Sequence, residues 1–162
     1  MKTRFAALAV AALALISAAQ PALAGSSGGN AALSLAALVG LQSPLLSGTE
    51  KTVLTKYLDG HADVIFKKGK TIVVKADAVT CRISNVDITV HSCDLTFGGK
   101  KKTLTGRKAH EIYATLVENG VPSDGAAGSI FEGLTNLECK IDPAQVAGRD
   151  GGGASCDYAP PK

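Results

Sequence analysis

The segment CRISNVDITVHSC contains the residues whose types and spacing could do chemistry, because it holds Cys81, His91 and Cys93 close together in sequence. A thiolate beside a histidine could act as a nucleophile, and both residue types bind zinc. In an oxidising compartment the same two cysteines would instead form a disulfide that braces a piece of sheet. The choice between a reactive site and a brace therefore depends on where the chain folds.

Residues 1–24 have the three parts of a secretory signal peptide. A positive start is followed by an uncharged segment rich in alanine and leucine, and then by the small residues Ala22 and Ala24 that a signal peptidase reads. A retained membrane anchor is the alternative, but a spanning helix needs about 20 apolar residues, and Pro21 interrupts this run. We therefore expect cleavage after Ala24 and an exported chain, periplasmic or extracellular, with no membrane span once it is mature.

Export favours the brace over the reactive site. The chain has four cysteines, which are most simply two disulfides in a small exported protein. Three pairings are open, and we favour Cys81–Cys93 with Cys139–Cys156 because each closes a short loop. A zinc site or a catalytic thiol is the alternative, but the sequence contains no C-x-x-C or H-x-x-x-H spacing. No metal and no cofactor is indicated.

Charge argues against a nucleic-acid partner. The chain has 17 basic and 14 acidic residues, and Lys2 and Arg4 leave with the leader, so the mature chain carries 15 − 14 = +1. Tryptophan is absent and aromatic residues are few, which leaves little for stacking on bases or sugars. Residues 66–108 nevertheless carry a balance of +7 and residues 109–162 a balance of −5. The mature protein is therefore nearly neutral overall and uneven along its length.

Hydrophobic spacing predicts four helices. An apolar helix follows Ala31 and ends near Gly40 and Pro44, and a second begins at the capping box of Ser47 and Glu50. Its expected buried residues are Val53, Leu54, Tyr57 and Leu58. The clearest helix precedes Gly120, with a buried stripe of Ala109, Ile112, Tyr113, Leu116 and Val117. A weaker one in SDGAAGSIFEGL would bury Ala126, Ala127, Ile130, Phe131 and Leu134.

Alternating apolar residues predict the strands. Strands are expected in KTIVVKA, AVTCRI and VDITV, around Cys139 and around Cys156. The apolar positions change phase after Val90, which requires a bulge or break near His91, and a hairpin is expected at the turn Gly98-Gly99. The order of elements predicts one α+β domain over residues 31–159, a mainly antiparallel sheet with helices over one face, preceded by a flexible lead-in over residues 25–30 and followed by a tail over 160–162.

Five basic residues form the candidate binding site. They lie at the predicted hairpin turn and at the start of the clearest helix, and they are Lys100, Lys101, Lys102, Arg107 and Lys108. Cations at a helix start oppose the macrodipole, which would be explained by an anion bound there. The alternative is that the lysines protect a sheet edge and that Arg107 pairs with Glu111.

The candidate catalytic residues lack the partners that a motif requires. His61, His91 and His110 have no closely spaced partner, the Gly-Ser pair in GAAGSIF is not part of a G-x-S-x-G elbow, and DGGG at Asp150 lacks the pattern of a phosphate loop. We therefore expect a non-enzymatic binding protein for a protein or an anionic envelope component. The alternatives are a small hydrolase that uses His91 or His110 with a carboxylate, and an assembly component that associates through residues 31–46.

Overall fold

The structure is a computed structural model, and it describes residues 25–60, 70–84, 89–121, 123–126, 129–142 and 153–161. These residues contain seven strands and three helices. The predicted signal peptide and His61 lie outside these residues. In chain order the elements are β1 Gly25–Gly28, α1 Gly29–Gln42, α2 Gly48–Leu58, β2 Ile72–Ser84, β3 Val90–Phe97, β4 Lys100–Leu104, α3 Gly106–Glu118, β5 Ser123–Ala126, β6 Ser129–Ile141 and β7 Ala154–Ala159.

The strands form one antiparallel sheet in the order β1-β7-β6-β2-β3-β4. Strand β5 pairs with the first residues of β6, while β7 pairs with its second half. The two long strands β2 and β6 pair along almost their whole length and form the centre of the sheet. The α+β fold predicted from the sequence is confirmed.

One face of the sheet is buried under the helices, and the other is polar and open. On β2 the buried positions are Ile72, Val74, Ala76, Val79, Cys81 and Ile83, and most of the residues between them are exposed. Helix α1 lies against both α2 and α3 and contacts strands β2, β6 and β7. An antiparallel sheet tolerates this asymmetry because its strands can alternate between apolar and polar residues.

Helix α1 is the centre of the helical layer, and seven of its residues are buried. Gly40, predicted with Pro44 to end this helix, instead lies within it. A Cβ at this position would lie 2.7 Å from Leu54 Cδ1 and 3.0 Å from Val74 Cγ2. The glycine therefore allows α1 to pack closely against both α2 and β2.

The capping box and the stop signal predicted for the other helices are confirmed. Ser47 Oγ accepts the backbone N–H of Glu50, and the Glu50 carboxylate accepts the backbone N–H of Ser47 at 2.8 Å. Helix α3 ends in a Schellman arrangement, in which the N–H of Gly120 reaches the carbonyl of Val117 and the N–H of Val121 reaches that of Leu116.

Two of the predicted stripes are narrower than expected. Leu54 of α2 is buried, but Leu58 is 40% exposed. On α3 the buried residues include Ala109, Ile112 and Leu116, whereas Val117 is 51% exposed. Each exposed residue lies in the last turn of its helix.

The predicted bulge and hairpin are both confirmed. Arg82 pairs with Ser92 and Ile83 with Val90, so His91 is the extra residue of β3. Strands β3 and β4 are joined by Gly98 and Gly99, with φ of 55° and 75°. Two positive φ values define a type I′ turn, which matches the twist of a hairpin.

Two predictions made from local sequence are wrong. The segment SDGAAGSIFEGL is not a helix: its ends belong to the hairpin strands β5 and β6. Its glycines weaken a helix, and Gly133 lies where a Cβ would be 2.9 Å from the backbone oxygen of Val79. The lead-in expected over residues 25–30 is instead β1, which pairs with β7, followed by the start of α1.

Candidate anion-binding cleft

The register of the sheet shows how the four cysteines are paired. Cys81 is directly opposite Cys93, and Cys139 is directly opposite Cys156, each pair with Cα atoms 4.0 Å apart and joined by a disulfide. The predicted pairing is confirmed, and no cysteine is free. A thiolate at Cys93 beside His91 is therefore absent, because the sulfur is already bonded.

Both disulfides lie on the helix-covered face. Cys93 Sγ is 3.2 Å from the backbone oxygen of Ala109 in α3, and Cys156 Sγ is 3.4 Å from that of Ala32 in α1. These are contacts and not hydrogen bonds, since a disulfide sulfur carries no proton. Disulfides persist in oxidising compartments, so the pair of buried bridges indicates a protein of such an environment.

The five basic residues of the candidate site do not form a single cluster. Alternation along β4 places Lys101 on the open face, where its ammonium is 2.9 Å from the Asp94 carboxylate. Lys102 lies on the opposite side of the strand, toward the helices. Lys100 is exposed beside the turn. The three lysines of the run thus point to different surroundings.

The two basic residues from helix α3 also differ in their surroundings. Arg107 Nε donates to Glu111 Oε1 at 2.8 Å. This is the ion pair that the sequence offers as the alternative to an anion bound by Arg107. Its side chain is otherwise 91% exposed. Lys108, one residue later, lines the same cleft as Lys102.

This cleft of about 440 Å³ lies between α1, the end of α2, β4 and the first turns of α3. Its apolar lining consists of Leu38, Leu41, Leu58, Leu104 and Ile112. Its polar lining consists of Gln42, Lys102, Lys108 and Glu111. We call this set of residues the lysine cleft. It combines an apolar floor with two ammonium groups.

The lysine cleft is positively charged. Within the described residues, neither Lys102 nor Lys108 forms an ion pair. Among the described residues of the lining the carboxylate is Glu111, which pairs with Arg107 outside the lining. The two lysines minus this one anion leave the lining with a balance of 2 − 1 = +1. A protein group that neutralises the two lysines is thus missing from the described part of the chain.

Helix α3 adds to this positive field. Its N-cap residue Thr105 makes no side-chain capping bond, and its first turn has no acidic residue. The positive end of the helix dipole therefore lies beside Arg107 and Lys108, which is unfavourable unless an anion is near.

A second hollow, of about 210 Å³, lies on the open face around Asn136. Its charges are already paired, since Glu138 lies 2.9 Å from Lys75 and 3.3 Å from Lys140. The hydrogen bond from Lys75, followed by that from Lys140, lowers the pKa of Glu138. Asp77 accepts the backbone N–H of Gly99 at 2.7 Å. These groups hold the sheet and its hairpin together.

His110 does not line either hollow. It is exposed on α3, and the backbone of His91 forms the bulge of β3. Among the residues whose side chains the structure describes, neither the lysine cleft nor the hollow at Asn136 has a histidine in its lining. Over the described ranges, His, Cys, Asp and Glu form no group of three or more that could hold a metal ion.

Among the cleft residues that local sequence does not identify as part of a site, three are leucines of the helices. Leu38, Leu41 and Leu58 belong to apolar helical stripes and meet the lysines only through the packing of α1 and α2 on the sheet. The partial exposure of Leu58 has no signal in its sequence neighbourhood.

Among the helices of the described residues, none has the length and apolar character that crossing a membrane requires. Comparison of the chain with protein-family models, with curated proteins and with solved structures finds no match. The geometry of the lysine cleft is therefore the basis for assigning a function.

Proposed function

We propose that this protein is an exported, non-enzymatic binding protein that holds an anionic ligand or partner in the lysine cleft. The observation that carries the proposal is the pair Lys102 and Lys108, which line one cavity and have no ion-pair partner in the described chain. Opposite charge within a few ångströms is the simplest way to offset such a pair.

Export is supported by two independent features. The leader over residues 1–24 has the pattern of a cleaved signal peptide. The two buried disulfides fit the oxidising conditions of a periplasm or an extracellular space. An anionic envelope component would meet the protein in either location.

Binding is better supported than catalysis by the lining of the cleft. Among the described residues, the lining contains no histidine, cysteine, serine or threonine, and its one carboxylate is paired with Arg107. A hydrolase would need a nucleophile or a positioned base near the bound substrate. Association through residues 31–46 is not favoured, because seven residues of α1 are buried in the domain itself.

The proposal is tested by titrating the ¹⁵N-labelled protein with inorganic pyrophosphate and following the backbone amide signals. We expect shifts centred on Lys102 and Lys108 that weaken with added salt, since exposed charges are screened. The double variant K102Q/K108Q should lose these shifts. The matched control K70Q/K100Q removes the same charge from two exposed lysines outside the cleft and should keep them.

Equal shifts in both double variants would contradict the proposal, because the response would then follow net charge. Shifts that avoid the cleft in the unaltered protein would contradict it as well.

A further inference from the structure

We infer that the partner of this protein is an acidic segment of another polypeptide, which pairs with β4 as an additional antiparallel strand and places acidic side chains at the lysine cleft. This inference rests on the proposed function and adds the class of partner and its mode of binding. It is carried by the open edge of β4, by the charges beside that edge and by the position of the cleft.

Strand β4 is the end of the sheet within the described part of the chain. Its first four residues, 100–103, are all exposed, and helix α3 packs on β3, β2 and β6. The helical layer therefore does not cover this part of β4. A strand with an open outer side can accept a further strand through main-chain hydrogen bonds.

The register of the β3–β4 hairpin determines which backbone groups of β4 point outward. The two-residue turn makes Phe97 and Lys100 a hydrogen-bonded pair, and such pairs alternate with non-hydrogen-bonded pairs along an antiparallel ladder. Lys102 therefore also bonds to β3, whereas the N–H and C=O groups of Lys101 and Thr103 point away from it. Over the described ranges, no strand pairs with these outward groups.

The two residues with outward backbone groups are held by one carboxylate. Asp94 accepts hydrogen bonds from Lys101 Nζ at 2.9 Å and from Thr103 Oγ1 at 2.6 Å. Both side chains are thereby fixed on the open face of the sheet. An edge that is already ordered loses little conformational entropy when a partner pairs with it.

The charges beside the edge favour an acidic partner. Lys100 and Lys102 are exposed on the helix side of β4, and neither forms an ion pair among the described residues. Opposite charges on adjacent strands attract, and like charges repel. These lysines therefore keep away the β4 of a second copy, which would bring lysine against lysine, and they attract a strand with acidic residues.

The lysine cleft lies where an added strand would place every second side chain. Lys102 and Leu104 belong both to β4 and to the lining of the cleft. Side chains alternate between the two faces of a strand, so a residue opposite Lys102 points to the helix side, where Lys108 lines the same cleft. The backbone of β4 thus supports affinity for any strand, and the two lysines select a strand with carboxylates at alternate positions.

The experiment uses the ¹⁵N-labelled mature protein and a capped peptide of sequence TETETETE, in which glutamate can lie opposite Lys102 and threonine opposite Lys101 and Thr103. We expect the peptide to slow hydrogen exchange at the backbone amides of Lys101 and Thr103, because these gain a hydrogen-bond acceptor. The amide of Lys102 is already bonded to β3, so its exchange should change little.

Two methylated peptides separate strand pairing from charge attraction. In an antiparallel strand the threonines of the peptide turn their N–H groups toward β4, and the glutamates turn theirs away. N-methylation of the threonines should therefore weaken binding at least about tenfold, since several hydrogen bonds are lost. N-methylation of the glutamates, which keeps the same charge, should leave the affinity unchanged.

Changes of charge test the choice of an acidic partner. Lys102→Gln should weaken TETETETE about tenfold, the loss of one charge-assisted contact. Lys70→Gln is the matched control, because this exposed lysine lies outside both β4 and the cleft, and it should not alter binding. The uncharged peptide TQTQTQTQ should bind at least about tenfold more weakly than TETETETE. Unchanged urea midpoints establish that the variants are folded.

The inference and the proposed function fail differently. Equal affinity of the two methylated peptides, or unchanged exchange at Lys101 and Thr103, would overturn strand addition. Pyrophosphate shifts at the cleft would in that case still support an anion-binding protein. Binding of TQTQTQTQ as tight as that of TETETETE would overturn the acidic class of partner. If neither TETETETE nor pyrophosphate bound, the inference and the proposed function would both be overturned.

Discussion

Tyr158 in β7 donates its phenolic proton to the backbone oxygen of Asn119 at the end of α3, 2.7 Å away. Its ring lies so close to Gly25 that a Cβ there would collide with it. Asn119 in turn donates its amide to the backbone oxygen of Ala31 in α1, at 3.0 Å. One tyrosine therefore joins the last strand, the first strand and the end of a helix.

Tyr158→Phe should lower the free energy of unfolding by about 1 kcal/mol, because it removes one hydrogen bond and leaves a carbonyl without that donor. Urea unfolding at pH 8 measures the difference. Burial raises the pKa of Tyr158, so its contribution is complete below the ordinary tyrosine pKa of about 10 and is lost as the pH rises through the folded value. The gap between the two proteins should therefore narrow toward pH 11. A gap that widens would contradict this account.

Serine at two positions of β1 should have opposite effects. Gly25→Ser places a Cβ against the Tyr158 ring, and overpacking of this kind costs about 1–3 kcal/mol. Gly28→Ser places its Cβ 3.8 Å from the nearest atom, at the N-cap of α1. Serine caps helices slightly better than glycine, so this control should be stabilised by a few tenths of a kcal/mol. Thermal unfolding measures both variants, and a Gly25→Ser variant as stable as the Gly28→Ser variant would contradict the importance of the ring contact.

Asp94 should make a contribution to stability that depends on pH. Its carboxylate accepts from Thr103 Oγ1 at 2.6 Å and from Lys101 Nζ at 2.9 Å. The first of these bonds, and then the second, lowers the pKa of Asp94. Stability from a lowered pKa is present above the ordinary value of about 3.9 and is lost as the pH falls through the folded value.

Asp94→Asn should therefore lower the urea midpoint at pH 7 and have a diminishing effect as the pH falls below about 4. Asp157→Asn is the matched control, since this exposed aspartate of β7 forms no ion pair among the described residues. If Asp94→Asn changed the urea midpoint by the same amount at every pH, the change would come from lost packing and not from the lost charge.

Removal of either disulfide should cost about 3 kcal/mol in the chain-entropy model, since the bridged residues are separated by 12 and 17 positions. The double-alanine variants C81A/C93A and C139A/C156A test this by urea unfolding. Cys139 pairs with Val74 on the strand that carries Cys81, so the bridges lie about 20 Å apart at about 3.3 Å per residue. Their effects should add, because distant sites are independent. If the quadruple variant lost less unfolding free energy than the sum of the two double variants, by more than about 1 kcal/mol, the two disulfides would be coupled.

Local signals predicted the elements that local contacts determine. The capping box at Ser47, the glycine turn at Gly98 and the phase change at His91 each act within a few residues of chain. The disulfide pairing also followed from short loops, and both loops are strand pairs in direct register.

The errors have a common physical cause, which is pairing with distant chain. Strand β1 has the sequence GSSG, with no side chain typical of a strand, and its position is set by β7. The segment around Gly133 has helical spacing, yet it pairs with β2 along its length. Tertiary contacts override weak local preference in both places.

Only part of the candidate site could be predicted from the sequence, because its other residues meet through contacts between distant parts of the chain. Lys102 and Lys108 were among the five residues named from sequence, and strand alternation separates Lys101 from them. The leucines of the cleft come from helices far away in sequence, so only the fold could bring them to the lysines.

The pairing of Gly25 with Tyr158 also determines the order in which the molecule can be completed. A ribosome makes the N-terminal segment first, so β1 and the uncharged α1 exist long before their partner β7. The β3–β4 hairpin, by contrast, needs only its own neighbours and can form early. Until synthesis reaches Cys156, the apolar residues of α1 have an incomplete sheet to cover them. The sheet can therefore be completed only when β7 is available to pair with β1.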